Sequence, residues 1–99
     1  MSHVGRKFAT PDPLSPDYLD RVRREDGQAL QAAEALDGEG FFHAVRCIGN
    51  RNNICSVTSI YTLLEVLGEG EGRLLGYDLS VDEANDAAVG FAALNFWRT

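Results

Sequence analysis

Apolar residues at Leu19, Val22, Ala29, Ala33 and Leu36 fall at heptad a and d spacing, with Asp26 in the seam position between Val22 and Ala29. The spacing predicts a helix over 16–36. Its start has a mechanism: Ser15 can cap free N–H groups, Pro16 suits the first helical position, and Asp17 complements the helix dipole. Asp26-Gly27 weakens the middle turn, the glycine alone by roughly 1 kcal/mol relative to alanine, so a kink or frayed turn is expected there. Asp37-Gly38-Glu39-Gly40 ends the helix. From Phe41 to Ile48 the alternation puts Phe41, His43, Val45 and Cys47 on one face, which predicts a strand, with an eight-residue helix as the competing reading. Gly49-Asn50-Arg51-Asn52-Asn53 is a turn cluster, and Ile54 to Val57 returns as a short second strand to complete a small hairpin.

Beyond Thr58 the period becomes helical again. Ile60, Leu63, Leu64 and Leu67 predict a helix that the Gly68–Gly72 run stops, and Leu74-Leu75 suggests one buried turn. Ser80 and Glu83 have capping-box spacing, which opens a third helix reaching about Trp97 and burying Ala84, Ala87, Ala88, Phe91 and Leu94. Pro11, Asp12 and Pro13 block helix near the start, so residues 1–14 read as an extended N-terminal arm and 15–99 as a single globular domain. The expected fold class is α+β and mostly helical: a long N-terminal helix, a small β-hairpin, then a three-helix, helix-turn-helix-like core.

A chain of 99 residues supports one hydrophobic core, and its 44% hydrophobic content argues against disorder. No apolar run has the length of a membrane span and no signal-peptide core follows Met1, so a cytoplasmic location and no membrane partner are expected. The net charge of −6 has the wrong sign for nonspecific nucleic-acid binding. It is also uneven: residues 1–52 hold seven basic against eight acidic side chains, whereas 53–99 hold only Arg73 and Arg98 against Glu65, Glu69, Glu71, Asp78, Asp82, Glu83 and Asp86.

Few residues combine into recognisable chemistry. His43 and Cys47 share a face and Cys55 lies across the expected turn, but the spacing fits no standard zinc signature, so packed, reduced thiols are the expectation and no metal or cofactor is assigned. Cys55 or Ser56 with His43 as base has the residue types of nucleophilic catalysis without an elbow or oxyanion loop, so no catalytic residue is assigned. Glu69 and Glu71 make the glycine run a connector rather than a phosphate cradle. Phe96, Trp97 and Tyr61 have interface character, with closing of the core as the alternative for Phe96 and Trp97.

Gly49-Asn50-Arg51, Ile54 and Val57, the Ile60, Leu63, Leu64 helix, and the run Tyr77, Leu79, Ser80, Asp82, Glu83 and Ala87 together resemble a family of small bacterial helix-turn-helix antitoxins paired with PIN-domain ribonuclease toxins. The resemblance implies a non-enzymatic regulatory or protein-interaction domain that binds a protein partner stoichiometrically, either a toxin or a basic nucleic-acid-binding protein. An acidic inhibitor or nucleic-acid mimic is the alternative, and a small ligand-binding protein or enzyme a third reading. The candidate recognition helix would begin Val81-Asp82-Glu83-Ala84-Asn85-Asp86, whose carboxylates repel phosphate, so sequence-specific DNA binding is not expected. The interaction residues assigned are Phe96, Trp97, Tyr61, Arg46 and Arg51, and a homodimer built on the 16–36 helix, Phe96 or Trp97 is expected.

Overall fold

The computed structural model describes residues 1–10 and 13–98. Strand β1 (His3–Gly5) is followed by a 3-10 turn over Arg6–Phe8, then helices α1 (Pro16–Glu34), α2 (Gly38–Arg46) and α3 (Val57–Leu67), and finally strands β2 (Glu71–Asp82) and β3 (Ala87–Trp97). The strands form one antiparallel sheet in the order β1-β3-β2. Pro11 and Asp12, expected to block helix, lie outside the described residues. Among the described residues no helix is long and apolar enough to cross a membrane.

The N-terminus of α1 forms as its sequence dictates, with the Ser15 hydroxyl accepting from the Tyr18 N–H at 3.2 Å and Pro16 in the first turn. The expected break at Asp26-Gly27 is absent and the helix is continuous. Its buried face runs Tyr18, Val22, Asp26, Ala29, Leu30 and Ala33, so Asp26 sits fully inside. The partners that make this tolerable come from the sheet and are described below.

The largest departures from the expected fold concern what lies after α1. Among the described residues the order is strand, three helices, then two strands, without a helix-turn-helix core. Phe41–Ile48 is not a strand: Asp37 caps α2 by accepting from the Gly40 N–H at 2.9 Å, and Phe41 and Val45, one helical turn apart, are both buried. Period-two alternation over so short a stretch also satisfies an i, i+4 pair, and packing on α1 decides between them. The helix read from Ile60, Leu63, Leu64 and Leu67 is α3, ended at Gly68, whose φ of 61° suits glycine.

Residues expected to form the third helix are strand instead. Ala88, Gly90, Ala92, Leu94 and Phe96 fall on one face of β3 at period two, and β2 pairs along the whole of it, from Glu71↔Trp97 to Asp82↔Ala87. A bulge between Leu74 and Gly76 leaves Leu75 without an opposite residue. The Ser80/Glu83 capping box does not form. Asp82 instead accepts from the N–H and side-chain amide of Asn85 at 3.3 and 2.7 Å and closes the β2–β3 turn. These hydrogen bonds hold the Asp82 carboxyl below its ordinary pKa, the side-chain bond contributing most.

Two apolar clusters result. Ala29, Ala33, Phe41, Val45, Ile54 and Leu64 join the three helices, with Leu94 and Phe96 of β3 against them. Val4, Tyr18, Val22, Leu79 and Ala88 join the first half of α1 to the sheet. All helix contacts fall on one face of the sheet, where Leu79↔Gly90, Tyr77↔Ala92, Leu74↔Leu94 and Gly72↔Phe96 pair. The other face carries Glu71↔Trp97, Arg73↔Asn95, Gly76↔Ala93, Asp78↔Phe91 and Ser80↔Val89.

Candidate functional site

A pocket of about 310 Å³ opens where α1, α3 and β3 meet. Leu30 and Ala33 come from α1, Phe41 from α2, Ile60, Leu63 and Leu64 from α3, and Ala92, Leu94 and Phe96 from β3, with Met1 beside them. The wall is therefore almost wholly apolar. Cys55 and Ser56 are its exceptions.

The placement of Cys55 and Ser56 follows from the loop that precedes α3. Asn50 clasps the loop: its side-chain oxygen accepts from the Ile54 N–H at 2.8 Å and its amide donates to the Ile54 carbonyl at 3.2 Å. Ile54 is buried as the anchor. Asn53 ties the loop to the N-terminal strand by donating to the carbonyls of His3 at 3.1 Å and Phe8 at 3.3 Å, and the His3 N–H donates to Asn52 at 2.7 Å. Asn50, Asn53 and Ser56 all take left-handed backbone conformations, with φ of 49°, 54° and 59°. Asparagine adopts this region readily, but serine does so at a cost of about 1–2 kcal/mol. Such strain persists where surrounding structure over-determines it, and here it turns the chain into α3 with Cys55 exposed at the pocket rim.

Two polar clusters flank the pocket without lining it. Asp26 accepts hydrogen bonds from the Ser2 hydroxyl and, at 2.6 Å, from the Tyr77 hydroxyl. Burial, reinforced by the Asp26 carboxylate, raises the Tyr77 phenol well above its ordinary value. A Cβ at Gly90 would stand 2.5 Å from Asp26 Oδ2 and 3.1 Å from the Tyr77 hydroxyl, so the sheet approaches the carboxylate only through glycine. In the second cluster Glu25 meets Arg21 at 3.3 Å, Arg51, and the amide of Asn52 at 3.2 Å. The Arg21 Nε contact with Glu25 is an ion pair without hydrogen-bond geometry, and the fully buried Asn52 Oδ1 has no hydrogen-bond partner among the described residues.

The interaction residues assigned from sequence are dispersed. Phe96 lines the pocket, whereas Trp97 is exposed on the opposite face of the sheet. Tyr61 packs edge-to-face on Phe42 with ring centroids 5.6 Å apart, Arg46 borders a shallow groove with Val45 and Val57, and Arg51 is paired to Glu25. His43 on α2 and Cys47 just past its end are exposed and neither lines the pocket, so the Cys55–His43 pairing is not assembled. Among the described residues no three His, Cys, Asp or Glu side chains converge as a metal-holding group. Asp26, Ser2 and Tyr77 escaped the sequence reading. The available signal was a carboxylate in a helix seam, which has to find donors once buried.

Comparison with known proteins overturns the antitoxin resemblance, the regulatory function drawn from it, and the acidic inhibitor or mimic alternative read from the clustered carboxylates. Residues 1–95 match the family described as Memo-like protein. A MEMO1 family protein of Aquifex aeolicus (strain VF5) is 31% identical over 100 residues, an alignment covering 98% of this chain and 25% of that protein. The chain thus spans a quarter of the length of this curated relative, and no solved structure matches. The physical reason for the mistaken likeness is local: turn, cap and Ala-rich signals at 49–57 and 77–94 are common to many folds, and here they build a loop, a helix start and a β-hairpin. With a family match over nearly its whole length, this chain belongs to the Memo-like protein family.

Proposed function

We propose that the chain provides a small-molecule binding element of a Memo-like protein, holding an apolar group of the ligand in the α1–α3–β3 pocket with the Cys55 thiol and Ser56 hydroxyl at its rim. The observation that carries this reading is the contrast between the apolar wall and the two polar side chains at one point of it. Binding pockets combine those features, typically with volumes of about 300–1,000 Å³. At about 310 Å³ there is room for an aromatic ring or a short hydrocarbon chain. The reading is one of binding, with Cys55 and Ser56 as the polar side chains of an otherwise apolar lining. A cytoplasmic setting, which keeps thiols reduced, suits both exposed cysteines.

The two cysteines supply an internal control. Thiol modification is followed at Cys55 in a Cys47→Ser background and at Cys47 in a Cys55→Ser background, with and without 8-anilinonaphthalene-1-sulfonate as apolar probe. The probe should slow modification of Cys55 several-fold and leave Cys47 unchanged, and Ile60→Asp at the rim should remove the protection. Equal effects of the probe on both thiols would rule the site out.

A further inference from the structure

The loop over residues 47–56, which carries Cys55 and Ser56 to the pocket, is held in three places. Asn50 closes it on Ile54, and Asn53 ties it to His3 and Phe8, both through neutral groups. The third hold is charged. Glu25 of α1 faces Arg51 through Oε2 and accepts from the Asn52 amide on Oε1 at 3.2 Å. Arg21, one turn earlier on α1, approaches the same Oε1 at 3.3 Å, and its guanidinium lies over the Tyr18 ring, 4.6 Å from the centroid. Glu25 is therefore aimed from its own helix. Its side chain is 9% exposed, so water competes little for the carboxylate oxygens.

The same loop keeps two features that cost free energy. Asn52 is fully buried, with no partner for its Oδ1 among the described residues. Turning the amide over would bring that oxygen against the Glu25 carboxylate, so Glu25 also fixes which way the amide points. Ser56 has a left-handed backbone, which serine adopts with strain. Costs of this kind persist where the surrounding structure over-determines them, and they gather at functional sites. Here they bracket Cys55, three residues before it and one after.

We infer that Glu25 is a positioning residue for the pocket, fixing the loop through Arg51 and Asn52 so that the Cys55 thiol and the Ser56 hydroxyl stand at the rim. The inference rests on the reading of that pocket as a binding site. Glu25 acts from outside the lining, to which neither it nor Arg51 nor Asn52 belongs. The hold requires a carboxylate. A glutamine at position 25 would have one oxygen for the groups that now share two, and no charge for Arg51. Arg51 is 49% exposed, so without a charged partner it turns to water and leaves the loop with its neutral ties alone.

The test uses a Cys47→Ser background and two readouts of the folded chain. Alkylation of Cys55 by iodoacetamide without any ligand reports how the thiol is presented, and the Cα and Cβ chemical shifts of Ser56 report its left-handed backbone. Glu25→Gln, Arg51→Met and Arg51→Lys are compared well below their unfolding midpoints, which circular dichroism locates. Glu25→Gln and Arg51→Met should speed alkylation by about threefold, the shift in loop population that a partly exposed ion pair supplies, and should move the Ser56 shifts away from left-handed values. Arg51→Lys should keep both readouts close to those of the parent, because one guanidinium nitrogen makes the contact and an ammonium can replace it. Protection of Cys55 by 8-anilinonaphthalene-1-sulfonate should weaken by a similar factor in the first two variants. A merely structural Glu25 would lower the unfolding midpoint and leave the folded-state readouts unchanged. That result overturns the proposal, as does identical behaviour of Arg51→Lys and Arg51→Met. Arg51 is on the surface, so its two variants decide the matter even if Glu25→Gln fails to fold. Absence of protection by the probe in the parent chain would remove the pocket reading, whereas alkylation and the Ser56 shifts judge the hold of Glu25 on the loop by themselves.

Discussion

Replacing Tyr77 by Phe removes one oxygen atom and leaves the ring in place, which isolates the hydroxyl's hold on Asp26. Asp26 is fully buried, and its described donors are the Ser2 hydroxyl and the Tyr77 hydroxyl, the latter at 2.6 Å. A hydrogen bond to a charged group contributes about 1.5–3 kcal/mol net, and the carboxylate stays buried after its donor has gone, so the upper half of that range is expected. For a protein of this size, with a urea m-value of about 1 kcal/mol/M, the midpoint should fall by about 2 M. Trp97 on β3 reports the transition by fluorescence. The pH dependence adds a second arm. Tyr77 has its phenol raised in the folded state above the ordinary 10.0, chiefly by burial and then by Asp26. Its contribution is therefore complete below about pH 10 and is lost as pH climbs from there toward the folded value. The stability difference between wild type and Tyr77→Phe should thus be constant from neutral pH to about 10 and shrink above it, while the other tyrosines and the lysine cancel in the comparison. A loss under about 0.5 kcal/mol, or a difference that does not change up to pH 11, would refute the assignment of Tyr77 as a neutral donor to a buried carboxylate.

Gly90→Ala should destabilise by about 1–3 kcal/mol, because the added methyl would stand 2.5 Å from Asp26 Oδ2; pairing it with Asp26→Ala should return part of the loss, and thermal unfolding of the single and double variants measures this. Asn85→Ala should raise the Asp82 carboxyl toward its ordinary value of 3.8, since the Asn85 side chain is the main cause of its depression, and an NMR titration of the Asp82 carboxyl would show the shift or its absence.

What the sequence made legible depended on whether a signal was local. Ser15-Pro16-Asp17 and the Ile60–Leu67 period fix α1 and α3 because capping and i, i+4 packing need only near neighbours. Phe41–Ile48 carried both periods at once, and the surface of α1 chose the helix. Ala87–Trp97 was misread for a related reason: Ala87, Ala88, Phe91 and Leu94 satisfy a helical face, whereas the strand face of Ala88, Gly90, Ala92, Leu94 and Phe96 becomes meaningful only once β2 is beside it. Gly90 was the clue, costly inside a helix and required where the carboxylate of Asp26 comes close. The pocket was illegible because its lining comes from five separated stretches, although both of its polar residues, Cys55 and Ser56, were candidates from the start. His43, weighed as their base on residue type alone, is exposed on α2 and does not line the pocket.

The pairing of β1 with the beginning of β3 also sets a timetable for synthesis. Val89, the partner of His3, is made 86 residues later (89 − 3), and at about 5–20 residues per second the ribosome needs on the order of ten seconds to reach it. During that interval α1 can form from local signals, but Val4 has no strand to lie against and Asp26 has no Tyr77 to hydrogen-bond. The nascent chain must therefore carry an exposed apolar stripe and a solvated carboxylate on the same helix until the hairpin emerges. That carboxylate keeps the stripe wet and discourages premature collapse around α1, so the residue that most needs the finished sheet also guards the helix while the sheet is missing.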